Sequence, residues 1–235
     1  MDVSPMISDV RSLRAISAPR PIALPTLVPL RFEVLGSVRV KRGGELMSAI
    51  GGPKAGANQA LALFAFLFDR DTRGVDKDEA LELIWPEASL SVADTAFHRT
   101  MLGLRRTLGS QGSDDVVAFR AGRYFLAEDF IASSDLADLE DLIEASASVT
   151  DPAERVILLE RCRALDRGPY MDDCPYYGTS VFVEVRRTLV HSVMAAVLKE
   201  LGDLYEASGH MALAAMRRAQ AELAPDTGLS WRRGG

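Results

Sequence analysis

The run Leu30-Arg31-Phe32-Glu33-Val34-Leu35 alternates apolar and polar residues, and Val38-Arg39-Val40-Lys41 repeats the alternation after Gly36-Ser37. A period of two marks a half-buried strand, so the two runs predict a hairpin. Residues 45–50 predict a third strand before Gly51-Gly52-Pro53. The period then lengthens. Asn58 opens a helix over 59–68 with Leu61, Phe64, Ala65 and Phe68 on one face. A second helix over 77–84 turns Leu81, Ile84 and Trp85 to the core and stops at Pro86, which cannot extend the hydrogen-bond ladder. A third, capped at Ser91 and closed by Gly109, carries Phe97, Met101, Leu104 and Leu108 as a buried stripe. Thr95, His98, Arg99, Leu102, Gly103 and Arg106 then face outward. Residues 116–119 and 124–126 predict two strands joined by Arg120-Ala121-Gly122-Arg123.

From Asp135 onward the pattern is helical, with helices expected over 135–146, 152–165, 181–208 and 210–223. The last two, joined at Gly209, resemble one hairpin of a tetratricopeptide array, but internal repetition is too weak for a long solenoid. Residues 1–29 hold Pro5, Pro19, Pro21, Pro25 and Pro29 with little periodicity, which predicts an extended arm. Residues 226–235 read as a frayed tail, and the stranded Trp231 suggests a fold that once continued.

A helix ending in Arg105-Arg106 and followed at once by a hairpin is the order in which a winged helix-turn-helix presents a reading helix and a wing. The expected fold class is therefore an α+β winged helix-turn-helix followed by an all-α tetratricopeptide-like domain. The expected divisions are an arm (1–29), a winged-helix domain (30–128), a helical domain (133–225) and a tail (226–235).

Charge refines this picture. The chain has 235 residues and a net charge of −6, which argues against a globally basic coat for nucleic acid. The charge is uneven. Residues 31–127 carry thirteen Lys/Arg against twelve Asp/Glu, and residues 128–235 carry eleven against nineteen. The acidity belongs to the helical part. Cys162 and Cys174 form no CxxC pair and read as free thiols. No apolar run approaches the roughly 18 residues of a membrane span. The N-terminus lacks a continuous signal-peptide core. The expectation is a soluble, cytoplasmic protein that makes no membrane contact.

The ordered series resembles the Streptomyces antibiotic regulatory protein (SARP) family and its wider relatives, in which an OmpR-type winged helix precedes a bacterial transcriptional activator domain. The resemblance covers about residues 30 to 225. It rests on Leu30 to Gly36, Leu83-Ile84-Trp85-Pro86, Leu104-Arg105-Arg106-Thr107-Leu108-Gly109 and Gly122-Arg123-Tyr124 in the first half. In the second half it rests on Leu158-Leu159, Leu165 to Tyr170, Glu184-Val185-Arg186-Arg187 and Leu201 to Leu213. It implies that the third helix enters the DNA major groove and that the hairpin meets the adjacent groove or backbone. It also implies that the helical domain contacts a second protomer or RNA polymerase. Leu102 and Gly103 depart from the family, where a polar residue and an arginine are common, and so does Asn58-Gln59, where a basic pair is common.

The candidate DNA-binding residues are Thr95, His98, Arg99, Arg105 and Arg106 on the third helix, and Arg120 and Arg123 on the wing. Arginine suits both phosphate and guanine. Arg105 and Arg106 also suit any helix C-terminus, where cations complement the dipole. Gly51 to Gly56 resembles a phosphate loop but lacks Gly-Lys-Ser/Thr spacing. His98, His191 and His210 are mutually isolated, and no HExxH, GxSxG or Cys/His arrangement appears. Asp172-Asp173 and Asp138/Glu140/Asp141 read as turns or solvated faces. Neither catalysis, a cofactor nor a metal is expected. The expected function is sequence-specific transcription regulation, as an activator, with double-stranded DNA as partner. Leu102 and Gly103 motivate an alternative: an interaction or adaptor module whose winged helix no longer reads DNA.

Overall fold

The computed structural model describes residues 30–47, 50–51, 56–109, 116–127 and 131–223. The expected arm and tail lie outside them. The N-terminal half mixes short strands with three helices, and the C-terminal half is a succession of packed helices.

Strands β1 (Leu30–Glu33) and β2 (Arg39–Arg42) form the expected antiparallel hairpin. β3 (Glu45–Leu46) extends it over only two residues of the expected third strand. α1 (Ala57–Arg70) follows and is buried on more than one face. Ala60, Ala62, Leu63, Phe64, Ala65, Phe66 and Leu67 are all buried, while Leu61 and Phe68 are half-buried. The single expected face is thus too narrow, because α1 is packed from two sides. Phe32 of β1 meets Phe64 and Phe68 edge-on at 4.9 and 4.4 Å between centroids, while Phe66 stacks on Tyr177 of the helical half at 4.8 Å.

β4 (Val75–Asp76) leads into α2 (Lys77–Ile84), where Asp76 caps the helix by accepting from the Asp78 N–H. α3 (Leu90–Leu108) begins after Ser89, two residues earlier than a Ser91 cap requires. Ser91 lies inside the helix, where its carbonyl accepts from the Thr95 hydroxyl. Gly109 ends the helix in extended backbone (φ −64°), so its freedom to adopt positive φ is not used. The stripe Phe97, Met101, Leu104 and Leu108 is buried as its spacing requires.

β5 (Val117–Arg120) and β6 (Arg123–Leu126) form the wing. Its turn is only Ala121-Gly122, both at positive φ (51° and 78°), the tight hairpin geometry that glycine favours. β4 pairs with β6 and makes a three-stranded sheet. β7 (Ile131–Ser134), which no local alternation marks, pairs in parallel with β1 and completes a four-stranded sheet of order β3-β2-β1-β7. The strand that follows the expected domain boundary therefore belongs to the N-terminal sheet.

β7 runs directly into α4 (Asp135–Ser148), with Ser134 as its cap. α5 (Pro152–Leu165), α6 (Val181–Ala207) and α7 (Met211–Leu223) then pack in sequence. These bounds match the periodicity closely. The Glu160 carboxylate ties α5, α6 and α7 together by accepting from Tyr205 Oη (3.0 Å) and Arg217 Nε (2.9 Å).

Two buried carboxylates join the halves. Asp69, at the end of α1, accepts from Tyr170 Oη (2.8 Å), Tyr177 Oη (2.5 Å) and Arg186 Nε (3.3 Å). Asp135 accepts from the Val34 and Leu35 N–H groups (2.8 and 3.0 Å) and from Arg167 (2.5 Å), whose other nitrogen reaches Glu33. Two residues expected on turns or solvated faces also serve this seam. Asp138 pairs with Arg31 of β1, and Asp173 accepts from the Val38 N–H. Long-range pairing of this kind leaves no local pattern in the chain. Among the described residues no helix is long and apolar enough to cross a membrane.

Replacing the seam carboxylate, Asp69→Ala, strands two buried phenols and Arg186. We expect a loss of about 3 kcal/mol, read as a lower urea midpoint. An unchanged midpoint contradicts the seam's importance. Burial, reinforced by Asp69, also pushes the Tyr170 and Tyr177 phenols up, and burial pushes the Cys174 thiol up to about 12. The folded chain therefore keeps protons that the unfolded chain releases above roughly pH 9 to 10. Stability is expected to be intact below about pH 8 and to fall as the pH rises through that range, which urea titrations at several pH values check.

Candidate nucleic-acid interface

Opposite its buried stripe, α3 exposes Val92, Thr95, His98, Arg99, Leu102 and Arg106. Arg99 and Arg106 make no hydrogen bond or ion pair among the described residues. Asp94 is the one acid on α3, and Lys77 of α2 pairs with it. The Lys77 hydrogen bond holds the Asp94 carboxyl below its ordinary range, and the His98 ring lies 3.8 Å from the same carboxylate. With this acid neutralised, the exposed face of α3 is net basic.

Gly103 does not belong to that face. A Cβ at Gly103 would lie 2.0 Å from the Gly51 carbonyl oxygen, so the helix admits the 50–51 backbone only because residue 103 has no side chain. Thr107 completes the contact: its hydroxyl accepts from the Gly51 N–H and donates to the Gly103 carbonyl, both at 2.9 Å. The expectation that Gly103 faces outward is corrected by this approach of backbone to helix.

The C-terminal end of α3 is anchored further. Arg42 of β2 donates to the Thr107 and Leu108 carbonyls (3.2 and 2.5 Å), placing a cation at the negative end of the helix dipole. Arg105 is half-buried, and its guanidinium donates to the Val117 carbonyl at 2.9 Å. It joins α3 to the base of the wing. Nothing in the sequence distinguished it from its exposed neighbour Arg106 except its place on the wheel.

Aromatic rings fix the wing against α3. Tyr124 meets Phe97 at 5.1 Å and Phe119 at 4.7 Å between centroids. The Arg120 guanidinium lies over the Phe125 ring at 4.5 Å. Arg123 donates to the Arg73 and Gly74 carbonyls at 3.4 and 3.3 Å. Both wing arginines are exposed, as is Arg73 beside them. Sequence reading missed Arg73 and Lys77, because their closeness to the wing and to α3 arises from the β4–β6 pairing. Among the described residues no cluster of three or more His, Cys, Asp and Glu could hold a metal ion.

No protein-family model matches the chain, and no curated protein matches it in sequence. The fold is similar to that of a solved structure of Mycobacterium tuberculosis EmbR in complex with a low-affinity phosphopeptide. The TM-score is 0.55 at 21% identity, over 85% of this chain. The chain spans 61% of the length of that structure. The likeness embraces both halves: strands mixed with helices, then packed helices.

The substitution Gly103→Ala gains about 1 kcal/mol of helix propensity but drives a methyl into the Gly51 carbonyl. The clash is expected to outweigh the gain and lower the melting temperature. A variant that melts higher than the parent contradicts the close approach.

Proposed function

We propose that this chain is a sequence-specific DNA-binding transcription regulator of the SARP kind, acting as an activator rather than an enzyme. The observation that carries the reading is the exposed arginines on α3 and on the wing that packs against it, Arg99 and Arg106 on one and Arg120 and Arg123 on the other. A helix about 10–12 Å across enters a major groove about 12 Å wide. Thr95, His98, Arg99 and Arg106 then meet base edges and phosphates. Arg120 and Arg123 meet the backbone or the adjacent groove, and Arg105 serves by holding the wing in place. The helical half is acidic, so the duplex is repelled from it and drawn to the winged half. Two copies on half-sites about one helical turn apart suit such a reader. RNA polymerase is the second partner, met through the helical half.

The adaptor reading drew on Leu102 and Gly103 together. The packing of Gly103 against Gly51 gives that glycine a structural reason and removes half of the motive. A stable complex with another protein, without salt-sensitive DNA binding, would favour it.

Arg106 is exposed, so Arg106→Ala is expected to leave the melting temperature unchanged. DNA affinity is expected to fall about tenfold, and the log–log salt slope to shrink by about 1, as one phosphate contact and its released counterion are lost. Titration of the full chain against duplex DNA at several salt concentrations checks this. Identical slopes for the variant and the parent remove Arg106 from the interface.

A further inference from the structure

Five exposed residues, Val92, Thr95, Arg99, Leu102 and Arg106, follow one another at spacings of three and four along α3. At 100° per residue they fall within a single stripe, diametrically opposite the stripe of Phe97, Met101, Leu104 and Leu108. His98 lies to one side of this stripe, beside Lys77 and Asp94. The exposed stripe is therefore mixed: Arg99 and Arg106 lie near its midline, and Val92 and Leu102 flank them on opposite sides. Val92 is 59% exposed and Leu102 43% exposed.

We infer that Val92 and Leu102 are specificity-determining residues that read thymine C5 methyl groups, with Arg99 on a neighbouring guanine. This rests on the DNA-binding reading above. Base edges in the major groove offer donors, acceptors and one apolar group, the thymine methyl. Among base edges, an aliphatic side chain on a reading face gains most from that methyl. It leaves the polar edges of other bases without partners, which costs affinity for sites that lack thymine there. Leu102 thus selects among sites rather than weakening recognition.

The helix rise supplies a register. Arg99 and Leu102 are separated by roughly 4.5 Å along the axis, close to one base-pair step of about 3.4 Å. Val92 lies about 10 Å from Arg99 toward the other end, or about three steps. The element read by one copy is expected to place a guanine next to one thymine contact, with a second thymine contact a few base pairs away.

The test uses the full chain and a random-sequence duplex library. Duplexes that the chain retains are sequenced, and each thymine of the best one is replaced singly by deoxyuridine, which removes only the methyl. At one or two positions the substitution is expected to weaken binding about fourfold, the worth of one buried methyl group. Leu102→Ala is expected to bind the thymine duplex more weakly and to become indifferent to uracil at one of those positions. Val92→Ala is expected to lose the other. Alanine has the highest helix propensity, so neither variant is expected to lose the fold, which thermal melts check. Parent protein that tolerates uracil at every position overturns the methyl assignment and leaves DNA binding standing. Uracil sensitivity that persists unchanged in both variants overturns it as well. A library from which nothing is enriched at low salt overturns the DNA-binding reading and this inference with it.

Discussion

The Asp69 carboxylate, only 5% exposed, lies where α1 ends, and Tyr170, Tyr177 and Arg186 all donate to it. A buried charge is tolerated only when it is paired and hydrogen-bonded. Here every donor comes from the helical half and the acceptor comes from the winged half. Asp135 does the same work with the direction reversed, as an acid of the helical half that satisfies two N–H groups beyond the end of β1. Neither half can move away without exposing a desolvated charge or orphaned backbone donors. The hydrophobic core is accordingly continuous across the seam, running from Phe32 through Phe66 to Tyr177 and Leu201.

That seam sets the frame for the exposed surface of α3. β1 carries β2, whose Arg42 holds the end of α3, and the segment after β3 presses Gly51 against Gly103. On the other flank Arg105 and the Phe97–Tyr124 contact fix the wing. A helix held from both sides presents its exposed side chains from a fixed backbone, so meeting a ligand need order only the side chains. The backbone that carries the exposed stripe is thus fixed by contacts on both flanks.

Much of the architecture was legible because helices are local. The bounds of α2, α4, α5, α6 and α7 follow from periodicity, Pro86, Pro152 and Gly209, each acting within a turn of its own position. The strands were less so. β4 has two residues, too few for alternation to register, and β7 reads Ile-Ala-Ser-Ser with no repeat. Their identity comes from partners about 50 and 100 residues away in sequence. The broad burial of α1 was hidden likewise, since a wheel displays one face and cannot count the elements that pack on the rest.

The candidate site divides in the same way. The sequence by itself determined the order of helices and wing and the buried stripe of α3, and hence the outward direction of Thr95, His98, Arg99, Leu102 and Arg106. Only the tertiary structure decided that Gly103 receives the Gly51 backbone, that Arg105 turns to Val117, and that Lys77 neutralises Asp94. The physical reason is one of range. A helix specifies its faces through neighbours three and four residues apart, whereas what meets each face is settled by chain segments folded back from elsewhere.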